Sequence, residues 1–252
     1  TARIRIAMAQ LAIELPGVVI SERCTNETPF EPKPVFMAAL FDQVTQNAQR
    51  MVLLAQAKPF VISSAKVGVL RERDKPDVQV ESSTETRGPL SWERYKPGRV
   101  VRPITYDGRP ATGVFPPDLA DFADSAFINN HCFRYAGQTR FADDSVIAVE
   151  FEPVPRLSRV PDMAGTLYLR VDGYQLVGQE SHVVPLGRAL ANLSEYRHRT
   201  VFKEIAPGVP VPAEMELTNV FRNGRPSFVQ TTKLIEIKWT DAVKTDTTRP
   251  LR

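Results

Sequence analysis

The spacing of apolar residues predicts one long helix early in the chain. Between Pro34 and about Lys58, apolar side chains recur every three to four positions, as they do on one face of an α-helix. Pro34 suits the first turn of this helix, and Pro59 ends it. A shorter helix is predicted from Asp118 to about Asn130, with Asp118 as its N-cap.

Alternation of apolar and polar residues predicts β-strands over most of the remaining chain. Tight-turn pairs at Asp172-Gly173 and Asn223-Gly224 join successive strands, and such short connections imply antiparallel pairing. The predicted fold class is α+β and mostly β, a curved antiparallel sheet of about nine strands wrapped on one long helix. The predicted strands after the long helix cover residues 60–73, 76–85, 98–105, 145–152, 165–172, 174–184, 197–206, 213–222 and 226–239.

Composition places the chain among globular proteins that bury a core. Its 252 residues are 42% hydrophobic and 24% charged, and its 21 prolines fall between apolar runs, which is typical of punctuation between short strands. The 32 basic and 29 acidic side chains leave a net charge of +3, which argues against nucleic-acid binding. No apolar run approaches the roughly 20 residues that a transmembrane helix needs.

The sequence contains no recognisable catalytic motif. None of the three histidines, His131, His182 and His198, has the spacing of a metallopeptidase zinc site. His131 next to Cys132 offers two metal ligands, but no second group completes a tetrahedral site. A nucleophile elbow, a P-loop and a dinucleotide-binding glycine motif are also missing. We therefore predict no catalytic residue, no metal site and no cofactor.

Two carboxylates leave one enzymatic alternative open. Glu150 and Glu152 alternate on one face of a predicted strand and so lie close together. Paired carboxylates can carry acid–base chemistry, with His131 as a further candidate. The favoured interpretation is that they form the solvated face of a half-buried strand.

The two cysteines leave two alternatives open on the residues alone. Cys24 lies in a polar, proline-rich loop and Cys132 at the end of the predicted short helix. Buried thiols are usually inert packing, whereas in an exported protein a pair of cysteines in such settings suggests a disulfide.

A cluster of aromatic and basic residues is a candidate protein interface. Trp92, Arg94 and Tyr95 lie in a stretch rich in proline and charge, a composition that resembles interface patches. The alternative, which we favour, is that the aromatic rings attach this long loop to the sheet.

Three successive segments resemble bacterial proteins described as carboxypeptidase regulatory-like domain-containing, which are abundant in Gemmatimonadota. The resemblance spans about Val18 to Val184 and lies in a helix that leads to a His-Cys-Phe ending, a strand that ends Phe-Glu-Pro, and a following Pro-Asp-x-x-Gly-Thr strand. Its residues are Phe127, His131, Cys132 and Phe133; Phe151, Glu152 and Pro153; and Pro161, Asp162, Gly165, Thr166, Tyr168 and Leu169.

The resemblance implies an exported protein without established catalytic residues. Residues 1–20 would be the end of an upstream β-sandwich or a linker from it, residues 21–240 the curved-sheet-plus-helix domain, and residues 241–252 a polar tail. The implied compartment favours a Cys24–Cys132 disulfide. The outline of a curved sheet around a helix is also similar to that of periplasmic lipoprotein carriers, an analogy at the level of fold alone.

These observations give two predicted functions of different classes. The first is a non-catalytic extracytoplasmic subunit that braces a larger membrane protein assembly, peripheral to the membrane and with other protein subunits as partners. Its most specific form is an extrinsic periplasmic subunit of a bacterial photosynthetic reaction-centre and light-harvesting complex. The alternative is a periplasmic protein that binds a lipid or another hydrophobic ligand between the curved sheet and the helix.

Overall fold

The computed structural model describes residues 34–57, 59–71, 76–88, 95–106, 108–122, 124–206 and 209–240. The predicted segments 1–20 and 241–252 lie outside these residues, as does part of the connection between the predicted strands 60–73 and 76–85. No helix among the described residues is long and apolar enough to cross a membrane.

The long helix is confirmed. Helix α1 runs over Pro34–Ala57, so it begins at the predicted proline and ends two residues before Pro59. Its buried stripe consists of Leu40, Phe41, Val44 and Ala48, which recur at helical spacing. This stripe packs against the interior of the sheet and holds the helix there.

A nine-stranded antiparallel sheet confirms the predicted fold class. Within the described residues its strand order is β2-β1-β11-β10-β9-β8-β7-β6-β5, with β3 and β4 pairing separately. Apart from the pairing of β11 with β1, neighbouring strands in the sheet are consecutive in the chain. The strands are β1 (Phe60–Leu70), β2 (Val78–Gly88), β3 (Val101–Tyr106), β4 (Arg109–Val114), β5 (His131–Phe141), β6 (Asp144–Pro153), β7 (Asp162–Arg170), β8 (Leu176–Val184), β9 (Leu193–Ala206), β10 (Val209–Phe221) and β11 (Pro226–Trp239).

The predicted second helix is two short helices, α2 (Leu119–Phe122) and α3 (Ser125–Asn130). Asp118 caps α2 as predicted, because its carboxylate accepts hydrogen bonds from the backbone amides two and three residues later. Asp124 repeats this cap on α3 by accepting from the Ala126 amide at 2.7 Å. Because Asp124 caps a new helix in the middle of the segment, α2 and α3 are separate and no continuous helix forms.

Strand β5 is the main element that the sequence pattern missed. We expected His131 and Cys132 at a helix end, whereas both begin this eleven-residue strand. Strand β5 lies at one edge of the sheet and exposes most of its middle residues, so its polar sequence lacks the alternation of a half-buried strand. Strand β4 was also missed, and it too is largely exposed.

The principal core lies between α1, the two short helices and one face of the sheet. Leu167 and Leu169 point into it from β7 and are fully buried, as their alternation predicts. Val171, expected on the same face, lies beyond the end of β7 and is exposed. We call the helix-facing side of the sheet the concave face and the opposite side the convex face.

Candidate functional site

The predicted interface residue Tyr95 is buried. Its side chain is 8% exposed, and its hydroxyl donates to Asp162 Oδ2 at 2.5 Å. The backbone amide of Tyr95 also donates to the Asp121 carboxylate. Tyr95 therefore attaches its segment to the core and is not part of an exposed patch; Trp92 and Arg94 lie outside the described residues.

The disulfide stays a prediction. Cys132 is buried at the start of β5, on the face opposite to that of its neighbour Phe133. Its proposed partner, Cys24, lies outside the described residues.

The residues of the enzymatic alternative do not form a common site. Glu150 is paired with Arg134 on the convex face, and Glu152 is exposed on the same strand. His131 is instead buried, with its ring nitrogens 2.9 Å from the Phe127 carbonyl and 3.1 Å from that of Met163. The favoured interpretation of the two glutamates as a solvated face agrees with this placement. Among the described residues, no group of three or more His, Cys, Asp or Glu side chains could hold a metal ion.

A different cluster has the properties of a binding site. Five buried polar atoms on β8, β9 and β10 have no hydrogen-bond partner in the part of the chain that the structure describes. They belong to Gln179 (Oε1), Ser181 (Oγ), Tyr196 (hydroxyl), His198 (Nδ1) and Asn219 (Oδ1). We call these five residues the concave polar cluster.

Strand register brings the cluster together. Ser181 lies directly opposite His198 across β8 and β9, and Asn219 lies directly opposite Tyr196 across β9 and β10. Gln179 is two residues from Ser181, as Tyr196 is from His198, so each pair shares one face of its strand. Facing residues of neighbouring strands are about 5 Å apart at Cβ, so the five side chains occupy one area of the concave face.

Elements above the sheet close over this area. Gln179 Nε2 donates to the carbonyl of Pro117, just before α2, at 2.9 Å. Helix α1 packs against both β10 and α2. The amide oxygen of Gln179 is buried and has no donor among the described residues.

Five unpaired buried polar atoms are costly. An unsatisfied buried donor or acceptor costs about 1–3 kcal/mol, a substantial fraction of the stability of a typical domain. Native proteins satisfy such groups with water or with a bound molecule. The concave polar cluster therefore requires hydrogen-bonding groups that the described residues do not supply.

Burial also sets the charge of the cluster. It lowers the pKa of His198 from 6.5 to about 4, so the imidazole is neutral at pH 7. Burial likewise raises the pKa of Tyr196 well above its usual value of 10, which keeps the phenol protonated. The side chains of the cluster are thus uncharged and offer both donors and acceptors.

An apolar track leads from the cluster to the edge of the sheet. In the strand register, the row that contains Tyr196 and Asn219 continues across the concave face to Phe228 on β11, Leu70 on β1 and Val78 on β2. The adjoining row that starts at His198 ends at Val80 on β2. Val78 and Val80 are 51% and 53% exposed, so the track is open at this edge among the described residues.

Sequence reasoning did not single out this cluster, although a signal was present. Gln179 and Ser181 occupy the same alternating face of β8 as the buried Val183. Polar residues at inward-facing positions of a strand are the pattern that would have drawn attention to them. Their lack of partners depends on the packing of separate strands and α1, which no local pattern contains.

Comparison with known proteins shows similarity in the outline of the fold only. No protein-family model matches the chain, and no curated protein matches it. A LolA superfamily protein from Nitrosomonas europaea covers 77% of this chain and 94% of its own, with 13% identity and a TM-score of 0.35. A DUF1329 family protein from Desulfovibrio piger covers 79% and 93%, with 8% identity and a TM-score of 0.39. An outer membrane lipoprotein-sorting protein domain from Vibrio parahaemolyticus covers 81% and 95%, with 10% identity and a TM-score of 0.39. These values are too low to assign a function to this chain.

Proposed function

We propose that the protein binds an amphipathic or hydrophobic ligand, such as a lipid, on the concave face of its sheet. The observation that carries the proposal is the concave polar cluster, in which five buried polar atoms lack partners among the described residues. A bound molecule with hydroxyl, ester or amide groups would supply the missing hydrogen bonds. This role needs no catalytic residue and fits the prediction that the protein is not an enzyme.

The apolar track explains why the ligand should be amphipathic. Its polar end would meet the cluster, while its apolar part would lie over Phe228, Leu70 and Val78 towards the open edge. Covering the exposed apolar surface there would contribute about 25 cal/mol for each Å² removed from water. Ligand pockets commonly combine such apolar lining with a few polar groups that fix orientation.

We place this binding function outside the cytoplasm. The location follows from the resemblance to exported bacterial proteins, which also favours the Cys24–Cys132 disulfide. Disulfides persist in oxidising compartments, so a disulfide in the mature protein would agree with this location.

Native mass spectrometry of the gently purified protein tests the proposal. We expect a ligand adduct of defined mass that is lost after extraction with organic solvent, and rebinding of a fluorescent fatty acid by the extracted protein. A protein that carries no adduct and binds no fatty acid or phospholipid probe would refute it, since the cluster would then be filled by water.

A paired set of variants locates the site. Ser181→Ala with Asn219→Leu removes two polar groups of the cluster, and Ser145→Ala with Asn192→Leu makes the same changes at exposed positions. We expect the cluster variant to bind the probe at least tenfold more weakly while remaining folded, because removing an unpaired buried group relieves its cost. The control variant should bind as the parent does; equal binding by both variants would place the ligand elsewhere.

The subunit hypothesis stays a prediction. A subunit that braces a photosynthetic or other membrane complex should copurify with that complex after mild solubilisation. Copurification would support that function independently of any bound ligand.

A further inference from the structure

One end of the sheet carries a row of arginines. The antiparallel order places the end of β1 and the start of β2 at this end, where Arg71 pairs with Asp77 at 3.1 Å. Three further loops lie at the same end: 154–161 between β6 and β7, 185–192 between β8 and β9, and 222–225 between β10 and β11. These loops contain no aspartate or glutamate. Their basic residues are Arg156, Arg159, Arg188, Arg222 and Arg225, which we call the basic rim.

The three loops form one continuous surface. Gly187 lies so close to Pro161 that a Cβ on it would be 2.7 Å from the proline ring, which joins the first loop to the second. Arg222 Nε donates to the carbonyl of Ala191 at 2.6 Å, which joins the second loop to the third. The arginines of the rim thus belong to adjoining loops.

The charge of the rim is not neutralised by carboxylates of the described residues. All five arginines are exposed. Arg156 donates to the amide oxygen of Asn130, and Arg222 donates to a backbone carbonyl, so both are held by neutral acceptors. On the convex face, by contrast, Arg134 pairs with Glu150 and Arg199 with Glu180.

The charge is also localised. The whole chain carries a net charge of only +3, so an excess of five at one end must be offset elsewhere. The turns at the opposite end of the sheet contain Asp143 and Asp172 and no basic residue at 142–143 or 171–175. The basic rim is therefore more positive than these turns at the opposite end of the sheet.

Apolar residues alternate with the arginines of the rim. Leu157 and Val160 lie within two residues of Arg159 in the first loop, and Leu186 lies two residues before Arg188 in the second. All three are half-buried, and the buried part of Leu186 packs against the principal core. Arginine beside apolar side chains suits the boundary between lipid headgroups and acyl chains, where the guanidinium meets phosphate. A protein partner with a purely charged, acidic surface would leave these apolar side chains without a contact.

We propose that the basic rim docks this end of the protein on an anionic lipid surface. Each arginine near such a surface strengthens binding by about fivefold, and the attraction weakens as salt shortens the Debye length. This inference goes beyond ligand binding and does not depend on it. If both hold, the rim orients the protein at a membrane while the concave face holds its ligand.

Vesicle cosedimentation of the full chain tests the docking surface. We expect binding to phosphatidylcholine vesicles that contain phosphatidylglycerol, weak binding to phosphatidylcholine alone, and release by salt. The test variant combines Arg159→Gln, Arg188→Gln and Arg225→Gln, because these side chains make no hydrogen bond or ion pair with the described residues. Its affinity should fall on the order of a hundredfold.

A control of equal charge separates the rim from net charge. Arg140→Gln, Lys203→Gln and Lys233→Gln remove three exposed charges elsewhere on the sheet and should leave vesicle binding within a few fold of the parent. Equal losses in the two triple variants, or equal binding to neutral and anionic vesicles, would overturn the proposal. Binding to soluble polyglutamate without binding to vesicles would overturn it in favour of an acidic protein partner. The Ser181→Ala, Asn219→Leu variant should keep vesicle binding, so failure of the ligand site is distinguishable.

Discussion

Acidification should destabilise the protein through His198. Burial lowers the pKa of this imidazole from 6.5 to about 4, so the folded state resists a proton that the unfolded chain accepts readily. At about 1.4 kcal/mol for each pKa unit, the difference corresponds to about 3 kcal/mol of unfolding free energy. Because the folded pKa is depressed, this contribution is complete above pH 6.5 and is lost as the pH falls towards 4.

Urea denaturation of the parent and of His198→Gln at a series of pH values measures this contribution. Glutamine keeps hydrogen-bonding capacity but does not titrate, so the stability of the parent relative to the variant should fall by about 3 kcal/mol between pH 7.5 and pH 4. His182→Gln, which changes an exposed histidine on the neighbouring strand, should follow the parent. Parallel curves for the parent and His198→Gln would show that the imidazole is solvated or charge-paired in the folded state. They would refute the assignment of a neutral imidazole with an unsatisfied Nδ1 to the concave face.

Three other predictions concern the attachments of the loops to the core. Burial and nearby acidic groups raise the pKa of Asp121 to about 6. The contribution of this carboxyl to stability is therefore present below pH 3.8 and is lost as the pH rises through 6. In denaturation experiments, the unfolding free energy of the parent relative to Asp121→Asn should fall by about 3 kcal/mol between pH 4 and pH 7. Tyr95→Phe removes the donor to the buried Asp162 carboxylate and should lower the unfolding free energy by about 1–3 kcal/mol, and an unchanged urea midpoint would contradict that role. For the predicted disulfide, non-reducing peptide mapping of the exported protein should yield a linked Cys24–Cys132 peptide, whereas two alkylated thiols would disprove the pairing.

The fold was largely predictable because most of its elements obey local rules. Helix α1 combines an apolar stripe with a proline at its first residue, and β11 begins at Pro226 and ends at Trp239 as its alternation predicts. Helix α1 buries one face against the rest of the molecule, so burial and sequence period agree there. Antiparallel order followed from turn chemistry at Asn223-Gly224, where the glycine adopts a φ of 79°.

The elements that were missed or divided depend on interactions that the local pattern does not contain. Strand β5 is fixed by pairing with β6, for example Phe133 with Phe151, although most of its middle residues face solvent. The break between α2 and α3 depends on the Asp124 cap, which competes successfully with continuation of the helix. In both cases one tertiary or side-chain contact outweighs the secondary structure that the residues of the segment favour on average.

The candidate site was harder to predict than the fold. A glutamine or serine in a strand is ordinary, and only the fold determines whether its side chain finds a partner. For Tyr95, the favoured interpretation that its ring attaches the loop to the sheet agrees with the buried hydrogen bond from its hydroxyl to Asp162, although this partner is distant in sequence. The candidate site in this chain therefore depends on pairings across the sheet that the linear order does not encode.

The two faces of one strand show that the unpaired groups are a local property of the concave face. On β8, Glu180 points to the convex face, where it accepts from the Tyr168 hydroxyl at 2.9 Å and pairs with Arg199 at 3.3 Å. Its neighbours Gln179 and Ser181 point the other way, and each has a buried polar atom without a partner among the described residues. Exposed groups on the convex face can in addition form hydrogen bonds with water, which the buried groups on the concave face cannot. The groups without a partner line the interior between the sheet and the helix. A ligand bound there would stabilise the folded state, and its removal would destabilise this part of the molecule first.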